Sequence, residues 1–203
     1  MAKTEQRTTN PREERTVVLV KPDGVKRGLA GDIFSRIEQR GLKIIALKMV
    51  WATKEQIDGH YPKDKAWISR LGTKTLSTYK QYGISAKKEL GTADPYEIGK
   101  NVRSWLIGYL TSGPVIKMVV EGIHAIDMVR KLAGNTLPYL AEMGTIRGDY
   151  SVDSPAAANK DKRSIHNVMH ASENSQEANH EIAYWFSPED IHSYKRVEED
   201  LMF

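Results

Sequence analysis

The segment Thr16-Val17-Val18-Leu19-Val20-Lys21-Pro22-Asp23-Gly24 joins a continuously apolar run to a lysine and a turn sequence. Its first five residues are mostly β-branched, which predicts a buried strand. Proline fixes φ and Asp-Gly permits a reversal, so a turn should follow Val20. Rigid scaffolds present functional groups at strand ends, which makes Lys21 a candidate site residue. The alternative is an ordinary surface lysine.

Helical and strand patterns alternate outward from this strand. Apolar residues at helical spacing predict a helix from Ala30 that Gly41 ends. The strand Leu42–Trp51 should follow, with Ile45, Leu47, Met49 and Trp51 on one face. The remaining elements are a short helix capped by Thr53 and ending at His60, helical residues 63–112 broken at 91–95, strands Pro114–Glu121 and Asp149–Val152, a helix ended by Gly134, a polar loop Ser154–Lys162 and a helix at about Ser175–Phe186.

This order of elements predicts an α+β fold. One copy of βαββαβ gives a ferredoxin-like antiparallel sheet with helices on one face, and here it carries an inserted helical segment at about 63–112. The chain has 203 residues, enough for one domain with an insertion. Residues 1–14 are polar and predict a disordered tail, which leaves 15–203 as the folded domain.

Composition excludes several classes of protein. The sequence contains no cysteine, so it has neither disulfides nor thiolate metal sites, and it fits a reducing compartment. No apolar run approaches the roughly 18 residues of a membrane helix. The formal net charge of +4 is too small to indicate nucleic-acid binding unless the cations cluster on one face, but it is compatible with small anionic ligands.

The run Asn167-Val168-Met169-His170-Ala171-Ser172 carries the main functional candidate. An imidazole is a good nucleophile, and the guanidinium groups of Arg130 and Arg147 with the ammonium of Lys21 can stabilise a transferring phosphoryl group. Glycines on both sides of Arg147 let the backbone approach a ligand closely. The alternatives are a satisfied buried histidine and two arginines in surface salt bridges.

Other side chains add to this hypothesis without deciding it. Glu181, on the last clear helix, is a candidate to orient the His170 imidazole, or else an ordinary surface carboxylate. His166 and His170 are four residues apart in a segment that does not read as a helix, so we predict no metal site. Aromatic residues of the helical middle, including Tyr61 and Trp67, are mostly expected in the core, but one of them could stack on a base.

Taken together, these residues resemble the nucleoside diphosphate kinase family. The matching motifs follow the family's order and cover most of the chain. They are Glu14-Arg15-Thr16, Lys21-Pro22-Asp23-Gly24-Val25, Arg27-Gly28-Leu29, His60-Tyr61, Ser112-Gly113-Pro114-Val115, Glu121-Gly122, Gly134-Asn135-Thr136, Gly144-Thr145-Ile146-Arg147-Gly148-Asp149, the run from Asn167 to Ser172, Glu181-Ile182 and Trp185-Phe186.

The resemblance implies a reaction and roles for its residues. A nucleoside triphosphate would pass its γ-phosphate to a nucleoside diphosphate by a ping-pong mechanism through a phosphohistidine on His170. Ser172 and Glu181 would position the histidine. The positions that hold phosphates and ribose would be Lys21, Tyr61, Arg130, Thr136, Arg147 and Asn167. The resemblance also implies magnesium carried by the nucleotide, a cytoplasmic homo-oligomer that is most often a hexamer, and no membrane or nucleic-acid partner.

The chain departs from the family pattern at three places. The family usually has glycine after the active histidine, where this chain has Ala171. The stretch between Tyr61 and Ser112 is longer than in a typical member, and the family's base-stacking phenylalanine falls there; Trp67 is its candidate replacement. A second insertion, near 154–163, precedes the histidine. Both insertions flank the expected nucleotide site, so they bear on base preference.

Two other kinds of function compete with the enzyme hypothesis. A nucleotide-binding interaction module without turnover would keep the pocket and use the long insertion for a partner. An RNA-binding ferredoxin-like domain needs exposed aromatic and basic residues on the sheet face, whereas these strands are mostly aliphatic. The full set of polar site residues favours the enzyme.

Overall fold

The computed structural model describes residues 11–202 and contains one four-stranded sheet surrounded by helices. The strands are β1 (Glu14–Val20), β2 (Lys43–Val50), β3 (Val115–Gly122) and β4 (Met169–Ala171). The helices are α1 (Pro22–Lys26), α2 (Ala30–Gln39), α3 (Lys54–His60), α4 (Lys65–Gln81), α5 (Ala86–Leu90), α6 (Pro95–Leu110), α7 (Ala125–Ala133), α8 (Ile146–Tyr150), α9 (Pro155–Lys160), α10 (Ser175–Trp185) and α11 (Glu199–Met202).

The sheet has the order β2-β3-β1-β4, and every neighbouring pair is antiparallel. Helix α2 joins β1 to β2, and α7 follows β3, so the predicted ferredoxin-like α+β fold is confirmed. Strand β1 lies between β3 and β4, with Leu19 paired to Lys117 on one side and to His170 on the other. The apolar run of β1 is therefore fully buried because it has a strand on each side and helices on both faces.

Helices cover both faces of the sheet, so the expectation of helices on one face was wrong. The first face packs on α2, α7 and α8 through side chains such as Ile37 and Val129. The second face packs on α3, α6 and α10, where Ile57, Leu110 and Trp185 are buried against Leu19. The chain between β2 and β3 supplies α3 and α6, and α10 follows β4. Alternation within each strand divides its side chains between two cores.

Helices α4 and α6, in the segment between β2 and β3, form a tightly crossed pair. A Cβ on Gly72 of α4 would lie 1.8 Å from the carbonyl oxygen of Pro95, and one on Gly99 of α6 would lie 1.9 Å from that of Ile68. Both glycines are therefore required by the close approach of the two helix backbones. The predicted break is confirmed: Gly91 ends α5 with φ of 76°, and Asp94 caps α6. A further break lies at 82–85, where Gly83 has φ of 66°.

Helices α4 and α9 contact each other. The hydroxyl of Tyr79 in α4 donates a hydrogen bond of 3.1 Å to the carbonyl oxygen of Asn159 in α9. Both residues are buried, as is the neighbouring Ala158. Helix α4 and the segment before β4 therefore pack together through the side chain of Tyr79.

The predicted fourth strand at Asp149–Val152 is wrong. Thr145 caps a helix there, because its hydroxyl accepts a hydrogen bond from the Gly148 backbone N–H, and α8 runs to Tyr150. The fourth strand is instead the three-residue β4, paired with Val18–Val20. Sequence alternation could not identify so short a strand.

Three further boundaries differ from the sequence predictions. The predicted polar loop Ser154–Lys162 contains α9, with Ser154 as N-cap and Pro155 at the first position. The turn after Lys21 is the short helix α1. The predicted disordered tail is wrong for its last four residues: Pro11–Glu13 form a 3-10 helix, and Glu14 begins β1 with its carboxylate accepting from the Ile126 N–H. Residues 1–10 lie outside the described residues.

Strand β2 does not keep one apolar face. Its pairing with β3 shifts register between Ile44 and Ala46, so Ile45 is buried while Leu47, Met49 and Trp51 are exposed. A bulge turns the following side chains to the other face, which the strict alternation of the sequence did not predict. Among the described helices, none combines the length and apolar character required to cross a lipid bilayer.

Candidate active site

His170 lies in β4 and is presented by a strained turn. The Met169 N–H bonds the Asn167 carbonyl at 2.7 Å, closing a three-residue turn around Val168, whose φ is 67°. Positive φ is an outlier for a β-branched residue and costs on the order of 1–3 kcal/mol. Two hydrogen bonds fix the backbone of the buried Val168. Its carbonyl accepts from the Lys21 N–H, and its N–H donates to the Asp23 carboxylate. The strain therefore sits beside the candidate nucleophile. Ala171, after the histidine, pairs with Val18 in regular β4.

One ring nitrogen of His170 is engaged by a carboxylate. Nε2 lies 2.7 Å from Oε1 of Glu181, and Oε2 of Glu181 accepts from the Ser172 hydroxyl at 2.6 Å. Ser172 Oγ in turn accepts from the Val17 N–H of β1. Burial alone would raise the pKa of Glu181, but the His170 imidazole and the hydrogen bonds from His170 and Ser172 outweigh it and lower that pKa. An ionised Glu181 fixes the proton on Nε2, which leaves Nδ1 with a free lone pair.

A second histidine supports this arrangement from behind. Trp185 Nε1 donates to Nδ1 of the buried His60 at 3.2 Å, and the His60 and His170 rings meet edge to face at 5.2 Å. Burial and the neighbouring His170 lower the pKa of His60 to about 3, so its ring is neutral. His60 Nδ1 also lies 3.5 Å from Glu181 Oε1. This contact is no ion pair, because the nitrogen is an acceptor for the indole.

Lys21 extends from the end of β1 toward Asn167. Its Nζ donates to Asn167 Oδ1 at 2.6 Å, and Asn167 Nδ2 donates to the Thr136 carbonyl at 2.9 Å. Burial, then the positive charge of Arg147, lowers the pKa of Lys21 to about 7 against the opposing effect of Asp23. This ammonium is poorly solvated, so an arriving anion would be bound strongly.

Arg147 is buried and joins the segment after α7 to the segment around the start of β4. Its guanidinium donates to the carbonyl oxygens of Gly134 at 2.7 Å, Met169 at 2.9 Å and Asn167 at 3.2 Å. Burial, then Arg130, lowers its pKa to about 10, which keeps it charged near neutral pH. The side chain of Arg130 is exposed and makes no hydrogen bond or ion pair within residues 11–202. The surface salt bridges considered from the sequence are thus absent for both arginines among the described residues.

Six of the predicted site residues line one cavity of about 290 Å³. They are Lys21, Arg130, Thr136, Arg147, Asn167 and His170. Ser172 and Glu181 lie behind the histidine. Tyr61 and Trp67 lie outside this cavity but continue from it: the Tyr61 ring contacts His60 at 4.9 Å and stacks on Trp67 at 5.9 Å.

Sequence reasoning missed several residues of the site. Tyr109 donates a 2.5 Å hydrogen bond to Asp23 Oδ1, and its ring stacks on His166 at 4.8 Å. Asp23 was interpreted only as a turn residue, although its place after Lys21 was a usable signal. Tyr109 comes from the far end of α6, and nothing local in the sequence indicated its contact. The supporting roles of His60 and Trp185 were also not predicted.

His60, His170 and Glu181 are the one group of described residues close enough to share a metal ion. The atoms of this group that face one another are already hydrogen-bonded, however. His60 Nδ1 accepts from the indole, and Glu181 Oε1 accepts from His170. A metal would have to displace both hydrogen bonds, so the arrangement suits an oriented nucleophile better than a ligand set.

A ferredoxin-like sheet that holds a carboxylate-bound histidine against a cationic cavity defines a phosphotransferase that acts through a histidine. The comparisons with known proteins agree with this class. The family model described as "Nucleoside diphosphate kinase" matches residues 14–73 and 92–191, leaving out the end of α4 and α5. The chain is 47% identical over 178 residues to a nucleoside diphosphate kinase of Pyrobaculum aerophilum, covering 88% of this chain and 97% of that protein.

Solved structures show the same similarity. An NDP kinase crystal structure from Pyrobaculum aerophilum superposes with a TM-score of 0.87 at 45% identity, covering 90% of this chain and all of that one. A nucleoside-diphosphate kinase from Borrelia burgdorferi, a transition state mimic with bound vanadate and ADP, has a TM-score of 0.75 at 37% identity and covers 94% and 96% of the two chains. The chain belongs to the nucleoside diphosphate kinase family. It is a phosphotransferase that moves the γ-phosphate of a nucleoside triphosphate to a nucleoside diphosphate.

Proposed function

We propose that Nδ1 of His170 is the atom that accepts the phosphoryl group. Its lone pair attacks the γ-phosphorus in line, the bond from that phosphorus to the β–γ bridging oxygen breaks, and the nucleoside diphosphate leaves. A second diphosphate then enters, and its terminal oxygen attacks the phosphohistidine in the reverse step. Glu181 and Ser172 hold the imidazole in the tautomer and orientation that both steps need.

Cationic groups around the cavity stabilise the transferring charge. Lys21, Arg130 and Arg147 surround the space in front of His170, and negative charge spreads over the phosphoryl oxygens in the transition state. Three of the five guanidinium N–H donors of Arg147 bond carbonyls, which leaves two for phosphate oxygens. Arg147 therefore serves both as a loop anchor and as a phosphate ligand.

Magnesium enters as part of the nucleotide substrate. The polar side chains that line the cavity are three cations, two amides, a hydroxyl and an imidazole, with no carboxylate among these described residues. Mg²⁺ prefers carboxylate and phosphate oxygens, so this donor set fits a metal held by the nucleotide's own phosphates. When bound there, Mg²⁺ neutralises charge on the phosphate chain.

The nucleoside end of the substrate is assigned to the rim of the cavity. The polar groups of Asn167 and Thr136 are suited to ribose and phosphate oxygens. The stacked pair of Tyr61 and Trp67 continues from His60 toward solvent and offers an aromatic face. Stacking on an aromatic ring tolerates every base, which suits an enzyme with several nucleotide substrates.

We further propose that the protein works as a cytoplasmic homo-oligomer, a hexamer by family resemblance. Leu47, Met49 and Trp51 are exposed beside the outer edge of the sheet at β2, which favours contact with another copy. Light scattering after size-exclusion chromatography tests the oligomer; a monomer at micromolar concentration contradicts it.

The observation that carries the proposal is the free Nδ1 of His170 opposite three cations. Incubation with γ-labelled ATP should give a protein label that is acid-labile, alkali-stable and chased onto added GDP. His170→Ala should remove the label, while His192→Ala, a change at an exposed histidine of the C-terminal segment, should keep it. A protein that binds ADP without ever becoming labelled would instead be a nucleotide-binding module without turnover.

A further inference from the structure

Lys117 breaks the apolar pattern of β3. Val115 and Val119 project into the core on the second face of the sheet, and Lys117, at the position between them, shares that face. The residue is only 9% exposed. A buried lysine is rare unless it has a specific partner, because removing the ammonium from water is unfavourable.

The partner of Lys117 is the end of α10. Its Nζ donates to the carbonyl oxygen of Trp185, the last residue of that helix, and lies 4.6 Å from the centre of the Phe186 ring. The last four carbonyls of a helix have no partner within the helix and carry its negative partial charge. Lys117 therefore caps the C-terminus of α10 inside the core.

Lys117 and His170 lie in one row across the sheet. Lys117 of β3 pairs with Leu19 of β1, which pairs with His170 of β4, so all three project on the same face. The outer two are two strands apart, roughly 10 Å at the usual strand spacing. Helix α10 bridges them: Glu181 meets His170, and Trp185, about 6 Å further along the helix axis, meets Lys117.

The side chain of Trp185 adds a second tie to the site. Its indole N–H donates to His60, whose ring contacts His170. Lys117 thus fixes the backbone carbonyl of Trp185, and the indole of Trp185 contacts His170 indirectly through His60. Without Lys117, the buried Trp185 carbonyl would lack its donor, and the helix end would have to move to find one.

We propose that Lys117 is a positioning residue for phosphoryl transfer: by anchoring the C-terminus of α10 across the sheet, it sets the place of Glu181 against His170. This inference rests on the proposed role of His170. Lys117 touches neither substrate nor the reacting atoms. It acts through the helix that carries the carboxylate.

Kinetics of three variants test this role. Lys117→Met keeps the length and apolar stem of the side chain but removes the donor, and kcat should fall about 10- to 100-fold with KM changed by less than about threefold. Lys117→Arg keeps the donor and should recover most of kcat. The matched control is Lys48→Met. Lys48 pairs with Lys117 in the same row, but its Nζ bonds Asp190 at the surface, so kcat should be unchanged.

The ¹⁵N signals of the His170 ring give a readout that does not depend on turnover. The wild-type spectrum should show one tautomer protonated at Nε2, and Lys117→Met should show a mixture of tautomers. Should Lys117→Met not fold, Lys117→Gln, whose amide nitrogen ends one atom short of the lysine Nζ and so fails to reach the Trp185 carbonyl, should show the same mixture. A folded variant with wild-type ring signals and wild-type kcat would overturn the inference. A wild-type protein that ATP cannot label would instead contradict the proposed nucleophile, while the ring signals would still report on Lys117.

Discussion

Glu181 Oε1 lies 2.7 Å from Nε2 of His170, and this single contact decides which ring nitrogen can react. The carboxylate accepts the Nε2 proton, so Nδ1 keeps its lone pair. The Ser172 hydroxyl holds the other oxygen of Glu181 at 2.6 Å, which prevents the carboxylate from rotating away. A buried, fully bonded carboxylate is thus the element that converts an ordinary histidine into an oriented nucleophile.

Glu181→Gln should lower kcat by about 10²- to 10⁴-fold with little change in KM. The glutamine amide can donate to Nε2, which stabilises the tautomer with its proton on Nδ1 and removes the reactive lone pair. Single-turnover labelling with γ-labelled ATP measures the effect directly. The control is Glu173→Gln, at an exposed glutamate just before α10, which should label at the wild-type rate. Equal labelling of both variants would exclude Glu181 from the reaction.

The alkaline limb of kcat/KM should report the ionisation of Lys21. Its pKa in the free protein is about 7, so the ammonium that binds phosphate is lost as pH rises through that value and kcat/KM should fall. Bound phosphates favour the charged form, so the limb of kcat should lie at higher pH than the limb of kcat/KM. Lys21→Arg keeps its charge and should lose this limb. A wild-type kcat/KM that stays flat from about pH 6 to about pH 9 would contradict the assignment.

Alanine variants of Arg147 and Arg130 should both lower kcat/KM, but only the Arg147 variant should also lower the free energy of unfolding. Arg147→Ala leaves three carbonyl oxygens without their guanidinium donor, so the free energy of unfolding should fall by roughly 2–4 kcal/mol along with kcat/KM. Arg130→Ala should lower kcat/KM by an amount equivalent to about 2–4 kcal/mol while the free energy of unfolding changes by less than about 0.5 kcal/mol. Denaturant unfolding and steady-state kinetics measure the two quantities. An Arg130 variant less stable than the Arg147 variant would reverse the interpretation.

Sequence patterns predicted the parts of the fold that depend on local periodicity and capping. The apolar run of β1, the stripe of α2 and the Asp94 cap all lie where the residues indicate. The failures have physical causes. Strand β4 has only three residues and is specified by pairing with β1, which no local pattern reveals. Valine disfavours positive φ, so the turn at Val168 could be fixed only by the contacts of its backbone with Lys21 and Asp23.

The candidate site was predictable where a residue type carries its own chemistry. Lys21 and His170 were predicted from their chemistry, because an ammonium can stabilise a transferring phosphoryl group and an imidazole can accept it. The grouping of Arg147 with three carbonyl oxygens, and the bond from Tyr109 to Asp23, were not predictable. Each depends on loops that meet only after the sheet has formed. The residues joined by these contacts lie between 13 and 86 positions apart, beyond the reach of local periodicity or capping patterns.

The crossing of α4 and α6 gives the last prediction, because it tests whether the packing of these helices is independent of phosphoryl transfer. Gly72→Ala would place a methyl group 1.8 Å from a backbone oxygen, so the helices must separate and the free energy of unfolding should fall by about 1–3 kcal/mol. Gly108→Ala is the matched control in α6. A Cβ there meets nothing within 4 Å, so the free energy of unfolding should rise by about 0.5–1 kcal/mol.

Labelling of His170 should proceed at the wild-type rate in both variants below their melting temperatures. The kcat/KM ratio between purine and pyrimidine nucleotides should change only in Gly72→Ala, because the loosened α4 carries Trp67 and, through Tyr79, the segment before the histidine. Loss of labelling in folded Gly72→Ala would show that the crossing of α4 and α6 is needed for phosphoryl transfer.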